Sequence, residues 1–242
     1  MKVEGRNAVR ELILNGNTTI DKVIVQNNIH DSVISEIVDL MKQKKIRFQF
    51  VPVNVLNNDS VTKHHQGIIA YTSEFKYSTT EDILNLAKEK NEDPFILILD
   101  GIEDPHNLGS ILRVCECLGV HGVIIEKTRA CQVNETVIKT SVGATSYVKV
   151  ARVANINNEI EKLKKQNIWV YACELGGDDL TSSNLTGGIA IVIGSEGRGT
   201  GKLTLKLCDG IVTIPQYGKI NSLNASVATG IVLYEVSRQR KG

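Results

Sequence analysis

The chain has 242 residues, enough for one large domain or two modest ones. It is 42% hydrophobic and 23% charged, with 28 Lys plus Arg against 27 Asp plus Glu, a formal charge of +1. That composition excludes wholesale disorder and a nucleic-acid binder driven by a basic tail. No apolar run approaches the roughly 20 residues of a membrane-spanning helix, and Met1–Arg10, which carries Lys2, Glu4, Arg6 and Arg10, has no apolar centre and is not expected to act as a secretory signal.

Residues 1–74 read as a small α/β unit. Val9, Leu12 and Ile13 keep helical spacing, with Asn15-Gly16 as the stop, and Lys22–Gln26 is a short β-branched strand. Val33, Ile34, Ile37, Val38 and Met41 form a helical stripe behind Asp31, a good N-cap. Arg47–Val51 and Gly67–Tyr71 read as strands. Residues 75–93 turn polar and acidic, and are expected to be a connector with one short helix carrying Ile83, Leu84 and Ala87, closed by Pro94.

From residue 94 to 242 apolar strands alternate with helical stretches. Strands are predicted at 95–99, 122–125, 147–150, 169–172, 189–193 and 211–214, and helices at 107–118, about 134–142, 156–165 and 201–207. Such alternation argues for an α/β fold with a parallel sheet covered on both faces, and ligands in that class sit beyond the carboxyl ends of strands. A last helix, about 223–239, is apolar nearly all round over 225–236, with Ser226 and Gly230 four apart. It is expected to be buried on most sides, in the core of its own chain or against another subunit.

Five cysteines, at 115, 117, 131, 173 and 208, include no C-x-x-C and accompany no His/Cys cluster. Reduced thiols in a cytoplasmic protein are the expectation, with neither disulfides nor a bound metal. His64 and His65 are adjacent and cannot share a face, and no hydrolase or metalloprotease motif is present.

Three stretches place polar residues and glycines at predicted strand ends. In the first, Leu99–Arg113, a strand ends at Asp100 and a helix opens near Asn107, with Arg113 six residues further on. In the second, Ile191–Gly199, an apolar strand runs into Gly-Ser-Glu-Gly-Arg-Gly, a loop open enough for backbone amides to approach a ligand. It matches neither the dinucleotide fingerprint nor a P-loop. In the third, Ile214–Ser226, a Pro/Gly turn leads to Ser222 or Asn224 at the head of the terminal helix.

These stretches closely resemble the three motifs of the SpoU (TrmH-type) RNA 2′-O-ribose methyltransferases. Asp104-Pro-His-Asn-Leu-Gly with Arg113 resembles the first, Ile193-Gly-Ser-Glu-Gly with Gly199 the second, and Ile214-Pro with Ser222-Leu-Asn-Ala-Ser226 the third. Glu4-Gly-Arg-Asn-Ala-Val and His65-Gln-Gly-Ile-Ile-Ala resemble the family's L30e-like substrate-binding domain, and the two parts together are most similar to the RlmB-like subgroup that methylates a guanosine ribose in 23S rRNA.

The resemblance implies a SPOUT-type catalytic domain with a C-terminal trefoil knot over 94–242, a linker over 75–93, an RNA-binding domain over 1–74, and a homodimer formed through the catalytic domain. It implies S-adenosylmethionine as cofactor, held largely by the backbone of Gly194, Ile214 and Leu223, with Ile193 and Pro215 beside them. Arg113 takes the central catalytic role in the family. An arginine is in practice always protonated, so gripping the target phosphate or steadying the developing alkoxide suits it better than acting as base. Asn107, Glu196, Ser222 and Asn224 would position Arg113 and the ribose; the ribose proton is assigned to none of them. The donor methyl is already activated by its positive sulfur, so no metal is needed.

Between Arg113 and Arg152 the basic residues Arg113, Lys127, Arg129, Lys139, Lys149 and Arg152 outnumber Glu116, Glu126 and Glu135. Arg129, Lys139 and Arg152, with Lys42, Lys44, Lys45 and Arg47 in the first unit, are candidate phosphate contacts. The sequence departs from the family pattern at Gln216, where Met is common, and at Asn221, where Glu is common. Three other readings remain open: the same chemistry on tRNA, a silent RNA-binding member of the fold, and a nucleotide-dependent oxidoreductase, the last disfavoured by the missing glycine fingerprint after Leu99.

Overall fold

The computed structural model describes residues 1–15, 19–29, 31–219 and 222–242. The expected helix stop at Gly16 and the departure at Asn221 lie outside these residues. The chain forms two compact units, one of Met1–Lys76 with Val133–Tyr147, the other of Tyr77–Gln132 with Val148–Gly242.

The first unit is built on β1 (Lys2–Glu4), β2 (Ile20–Gln26), β3 (Phe48–Val51) and β4 (Ile68–Thr72), in the order β1-β4-β2-β3. β2 and β3 are parallel, and β4 runs antiparallel to both β1 and β2. Helices α1 (Arg6–Asn15) and α2 (Ser32–Gln43) bury the stripes read from the sequence, and Asp31 caps α2 by accepting from the Ile34 amide at 3.0 Å. Two elements escape the sequence pattern: β1, which is only three residues long, and α3 (Val53–Asp59), which follows Pro52 and buries only Leu56. Buried Glu4 closes this unit. Its carboxylate accepts from Ser60 Oγ at 2.8 Å, from the Val61 amide at 2.6 Å, and from the amide and hydroxyl of Thr62. Burial alone would raise its pKa, but these hydrogen bonds together hold it below the ordinary carboxylate value.

The second unit begins with α4 (Thr80–Glu89), closed at its start by a reciprocal Thr79–Asp82 capping box. Residues 75–93 are therefore more than a connector. Ile83 and Leu84 are fully buried in the large core, together with Ile96, Ile98 and Ile124 of the sheet. The sheet comprises β5 (Phe95–Asp100), β6 (Gly122–Glu126), β7 (Lys149–Val153), β8 (Trp169–Asp179), β9 (Ile189–Gly194) and β10 (Gly210–Thr213), all parallel, in the order β10-β8-β9-β5-β6-β7. Helix α5 (Pro105–Cys117) links β5 to β6, with Asp104 as N-cap and Pro105 in its first turn.

After β6 the chain visits the first unit, where α6 (Glu135–Thr140) packs beside β1 and a 3-10 turn at Ala144–Ser146 lies beside α1. The Lys2 amide donates to Glu135 at 2.7 Å, and Asn15 donates to the Ser146 carbonyl at 2.6 Å. Long-range bonds of this kind decide the grouping, and periodicity carries no trace of them. β7 consequently starts two residues later than predicted, because Tyr147 belongs to the turn.

Alternate residues of β5 and β9 are buried on opposite faces. One face meets α4, α7 (Ile156–Lys164) and α8 (Lys202–Leu207). On the other side of the sheet α5 packs against α9 (Ala225–Lys241), which also touches β9. α9 buries Thr229, Val232, Leu233 and Val236, while Val227, Ile231 and Tyr234 stay exposed. The terminal helix is thus apolar on two faces but covered by its own chain on one. Among the described residues no helix is long and apolar enough to cross a membrane.

Candidate active site

β5, β9 and β10 deliver the three polar stretches to the carboxyl ends of the second unit's parallel strands. β5 ends at Asp100, which accepts from the Gly201 amide at 2.9 Å and so ties the first stretch to the end of the second. Asn107 lies in the first turn of α5 and is 9% exposed. A side-chain amide so placed needs partners, and it finds them in the other two stretches. Asn107 Nδ2 donates to Glu196 Oε1 at 3.1 Å, and its Oδ1 accepts from Asn224 Nδ2 at 2.9 Å.

Asn224 Nδ2 also donates to Glu196 Oε1 at 2.7 Å, and the Ala225 amide donates to the same oxygen at 3.0 Å. Asn224 Oδ1 then caps α9, accepting from the amides of Ser226 and Val227 at 3.0 and 3.3 Å. Three residues far apart in sequence form one closed hydrogen-bonded triangle, which also fixes the start of α9. Glu196 adds its negative charge at the positive end of that helix.

Arg113 projects from α5 six residues beyond Asn107, about 9 Å along the helix axis. It is exposed and makes no hydrogen bond or ion pair with another described residue. A second cation, Arg198, lies beside Gly101 just after β5: its Nη2 is 3.1 Å from the place a Cβ on Gly101 would occupy.

A cavity of about 380 Å³ opens beside the triangle, lined by Ile193, Gly194, Glu196, Ile214, Ser222 and Leu223, and also by Cys173, Glu174, Leu175, Gln216 and Ala228. Of the five residues predicted to hold a cofactor, Ile193, Gly194, Ile214 and Leu223 line it and Pro215 does not; Gln216 lines it instead. The loop after β9 must approach itself closely, since a Cβ on Gly194 would lie 2.2 Å from the Gly199 carbonyl carbon. The Cys173 thiol is pushed up to about 12 by burial and by the neighbouring Glu174 carboxylate, so it stays a neutral, slightly polar part of the wall. The described lining residues include two carboxylates and no Lys, Arg or His. A cavity of this size with mixed polar and apolar walls and two acids suits a small ligand that carries positive charge.

The wall from Cys173, Glu174 and Leu175 is missing from the sequence reading. β8 runs on to Asp179, and Gly177 allows the bend there: a Cβ on it would lie 2.3 Å from the Ile211 carbonyl oxygen. A polar, glycine-bearing stretch with no alternation gives no strand signal.

The predicted RNA-contacting cations divide. Arg47 and Arg129 are exposed and have no partner among the described residues. Lys44 closes the end of α1, donating to the carbonyls of Ile13 and Leu14 at 2.7 and 2.9 Å. Lys139 belongs to the first unit, where it donates to the Thr62 hydroxyl and the His64 carbonyl. Arg152 stacks over the Tyr77 ring at 4.3 Å. These three already have structural work, which sequence alone does not reveal.

Residues 94–234 match a family model described as the SpoU rRNA methylase family, and residues 2–78 match one described as RNA 2′-O ribose methyltransferase substrate binding. The chain is 41% identical over 239 residues to YacO of Bacillus subtilis, named as a TrmH family tRNA/rRNA methyltransferase, covering 98% of this chain and 95% of that one. A similarly named protein of Staphylococcus aureus is 42% identical over 98% of this chain and 96% of its own. Among solved structures, the SpoU methyltransferase AviRb of Streptomyces viridochromogenes, determined in complex with AdoMet, superposes with a TM-score of 0.82 at 21% identity, covering 99% of this chain and 90% of AviRb. The TrmH/SpoU tRNA-modifying enzyme of A. aeolicus aligns over 62% of this chain and 77% of its own, with a TM-score of 0.56 at 28% identity.

Proposed function

The chain belongs to the SpoU rRNA methylase family, and on that premise we propose that this RNA methyltransferase transfers a methyl group from S-adenosylmethionine to the 2′-oxygen of a guanosine ribose in 23S rRNA. The observation that carries the reading is the Asn107–Glu196–Asn224 triangle beside the glycine-walled cavity. The cavity's size, its mixed apolar and polar walls and its two carboxylates, neither ion-paired among the described residues, fit that cofactor, which would supply a methyl group on a positively charged sulfur. Ile193, Gly194, Ile214 and Leu223 would hold it.

The protein's own part is placement and charge. The triangle fixes the start of α5, the loop after β9 and the start of α9 as one rigid frame, and orientation of this kind can supply several kcal/mol of barrier lowering. Arg113, exposed on α5 and without a side-chain partner among the described residues, is available to grip a phosphate of the RNA and to steady the negative charge that grows on the ribose oxygen. Ser222, at the cavity, positions the ribose alongside Asn107, Glu196 and Asn224. Arg47 and Arg129, and Arg198 near the mouth, supply phosphate contacts; the cations of Lys44, Lys139 and Arg152 contribute less, being already held.

The enzyme acts in the cytoplasm as a homodimer joined through α9. Val227, Ile231 and Tyr234 make an exposed apolar stripe with Gly230 between them, where a Cβ would meet nothing within 4 Å. A face so apolar and so accommodating suits a second copy of the same helix. The trefoil knot belongs to the same reading; the close packing of the Gly194–Gly199 loop near β8 and the third stretch is consistent with threading there. A tRNA substrate is the second reading, since the names of the Bacillus and Staphylococcus relatives give tRNA and rRNA alike.

The test is methyl transfer from labelled S-adenosylmethionine to unmodified 23S rRNA fragments and to total tRNA, with RNA affinity followed over a salt series. Transfer to the rRNA and affinity falling steeply with salt are expected. Transfer to tRNA alone selects the second reading, and binding without transfer to either selects a silent member of the fold.

A further inference from the structure

Glu174 is the one cavity carboxylate that the catalytic triangle leaves unused. It stands on β8 one residue beyond the last β8–β9 pair, Cys173 with Ile193. Its Oε2 accepts from the Thr200 amide at 2.9 Å and its Oε1 from the Leu175 amide at 3.3 Å. A carboxylate offers about four acceptor positions, so part of its capacity is left over. It forms no ion pair among the described residues, so it is not one half of a structural salt bridge.

The loop is moulded onto it. Gly199 has φ +66, and a Cβ there would lie 2.5 Å from Glu174 Oε2. Glu196, the other acid of the cavity, already accepts three hydrogen bonds through Oε1.

Resting on the reading that the cavity holds S-adenosylmethionine, we propose that Glu174 recognises the ribose of that cofactor, its carboxylate accepting hydrogen bonds from the vicinal 2′- and 3′-hydroxyls. Position argues for the ribose. The methyl group to be transferred must lie near the triangle, which is built from the ends of β5 and β9. Glu174 comes from β8, two strands from β5 in the order β8-β9-β5, or about 10 Å at ordinary strand spacing. The cavity runs from Glu196 to Cys173, Glu174 and Leu175, so an adenosine half laid along it would bring its ribose, the part that bears two adjacent hydroxyl donors, to Glu174. A carboxylate fixed by backbone amides is a strong, oriented acceptor for them, the same chemistry by which an acidic residue reads a ribose hydroxyl in dinucleotide sites.

The experiment is isothermal calorimetry of the full-length protein and its E174Q and E174A variants with S-adenosylhomocysteine, its 2′-deoxy and 3′-deoxy analogues, and S-adenosylmethionine. In the unsubstituted protein, removing one hydroxyl should weaken binding about tenfold or more, as expected for a hydrogen bond to a charged group. In both variants the ribose and deoxyribose ligands should bind within two- to threefold of each other. E174Q keeps an acceptor for the Thr200 amide, and it carries the comparison should E174A fail to fold.

If the variants lose the same factor for every ligand and keep the preference for ribose, Glu174 only supports the loop and the proposal is overturned. It is also overturned if the variants weaken S-adenosylmethionine alone, since Glu174 would then be reading the positive sulfur. Failure of the unsubstituted protein to bind either natural ligand would instead refute the cofactor reading itself, and the proposal with it.

Discussion

Asn224 has two separable duties, and substitutions can divide them. Its Oδ1 caps α9 through the amides of Ser226 and Val227, while its Nδ2 ties α9 to Asn107 and Glu196. Asn224→Ser keeps a capping oxygen but has no group long enough to reach across; Asn224→Ala removes both. An N-cap is worth about 1 kcal/mol. Each side-chain hydrogen bond contributes about 1 kcal/mol net, and the one to Glu196 less, because it is solvent-exposed.

Asn224→Ser should therefore lose roughly 1 kcal/mol and Asn224→Ala roughly 2. At 2–4 °C per kcal/mol for a chain of this size, that is a fall of about 3 °C against about 6 °C. Turnover should behave differently. Both variants break the triangle, so both should lose about 100-fold or more in methyl transfer, as for loss of an oriented catalytic contact. Differential scanning calorimetry and a labelled-methyl assay on the same preparations read the two effects. An Asn224→Ser variant with full turnover would refute the positioning role, and one as destabilised as Asn224→Ala would refute the separation of cap from tie.

Three further outcomes are expected. Arg113→Ala should cut methyl transfer by about 10²–10³ while leaving the Kd for S-adenosylmethionine within twofold, because the residue is exposed and does not line the cavity; unchanged transfer, read in the same labelled-methyl assay, would remove it from the chemistry. Ile231→Glu places a charge in the exposed stripe of α9 and should convert a dimer to a monomer by light scattering; an unsubstituted protein that is monomeric at micromolar concentration would refute that interface. Glu4 has its pKa lowered in the fold, so its hydrogen bonds stabilise the protein above the ordinary carboxylate value of 4.5 and are lost as pH falls through the lowered value. Urea midpoints of the unsubstituted protein should drop more steeply below pH 4.5 than those of Glu4→Gln, and parallel curves would contradict the assignment.

The alternation of strands and helices that builds the parallel sheet is legible in the sequence, and so is the placing of polar stretches at its strand ends. Asn107, Glu196 and Asn224 stand at strand ends, and the apolar strands before them, Phe95–Leu99 and Ile189–Ile193, are fully buried and easily read. What joins these residues is a set of hydrogen bonds spanning up to 117 positions, which no local pattern encodes. Helix α4 hides its core stripe of Ile83, Leu84 and Ala87 among acids, so it reads as a linker until packing shows it in the core. The segment Val133–Tyr147 joins the first unit through bonds such as Lys2 to Glu135, invisible to periodicity.

Charge is the least transferable signal. Lys44 and Arg47 look alike in sequence, yet Lys44 is spent on the end of α1 and the Arg47 side chain has no partner among the described residues. The same limit concealed Glu174, whose place on the cavity wall depends on β8 running past the point where its apolar run stops.

The most direct measurement of the central claim is a transcriptome-wide map of ribose 2′-O-methylation, made in cells with the protein, without it, and with its Arg113→Ala form. The account predicts a methylated guanosine in 23S rRNA that disappears in the last two and returns when the unsubstituted chain is restored. Identical maps in all three would contradict it.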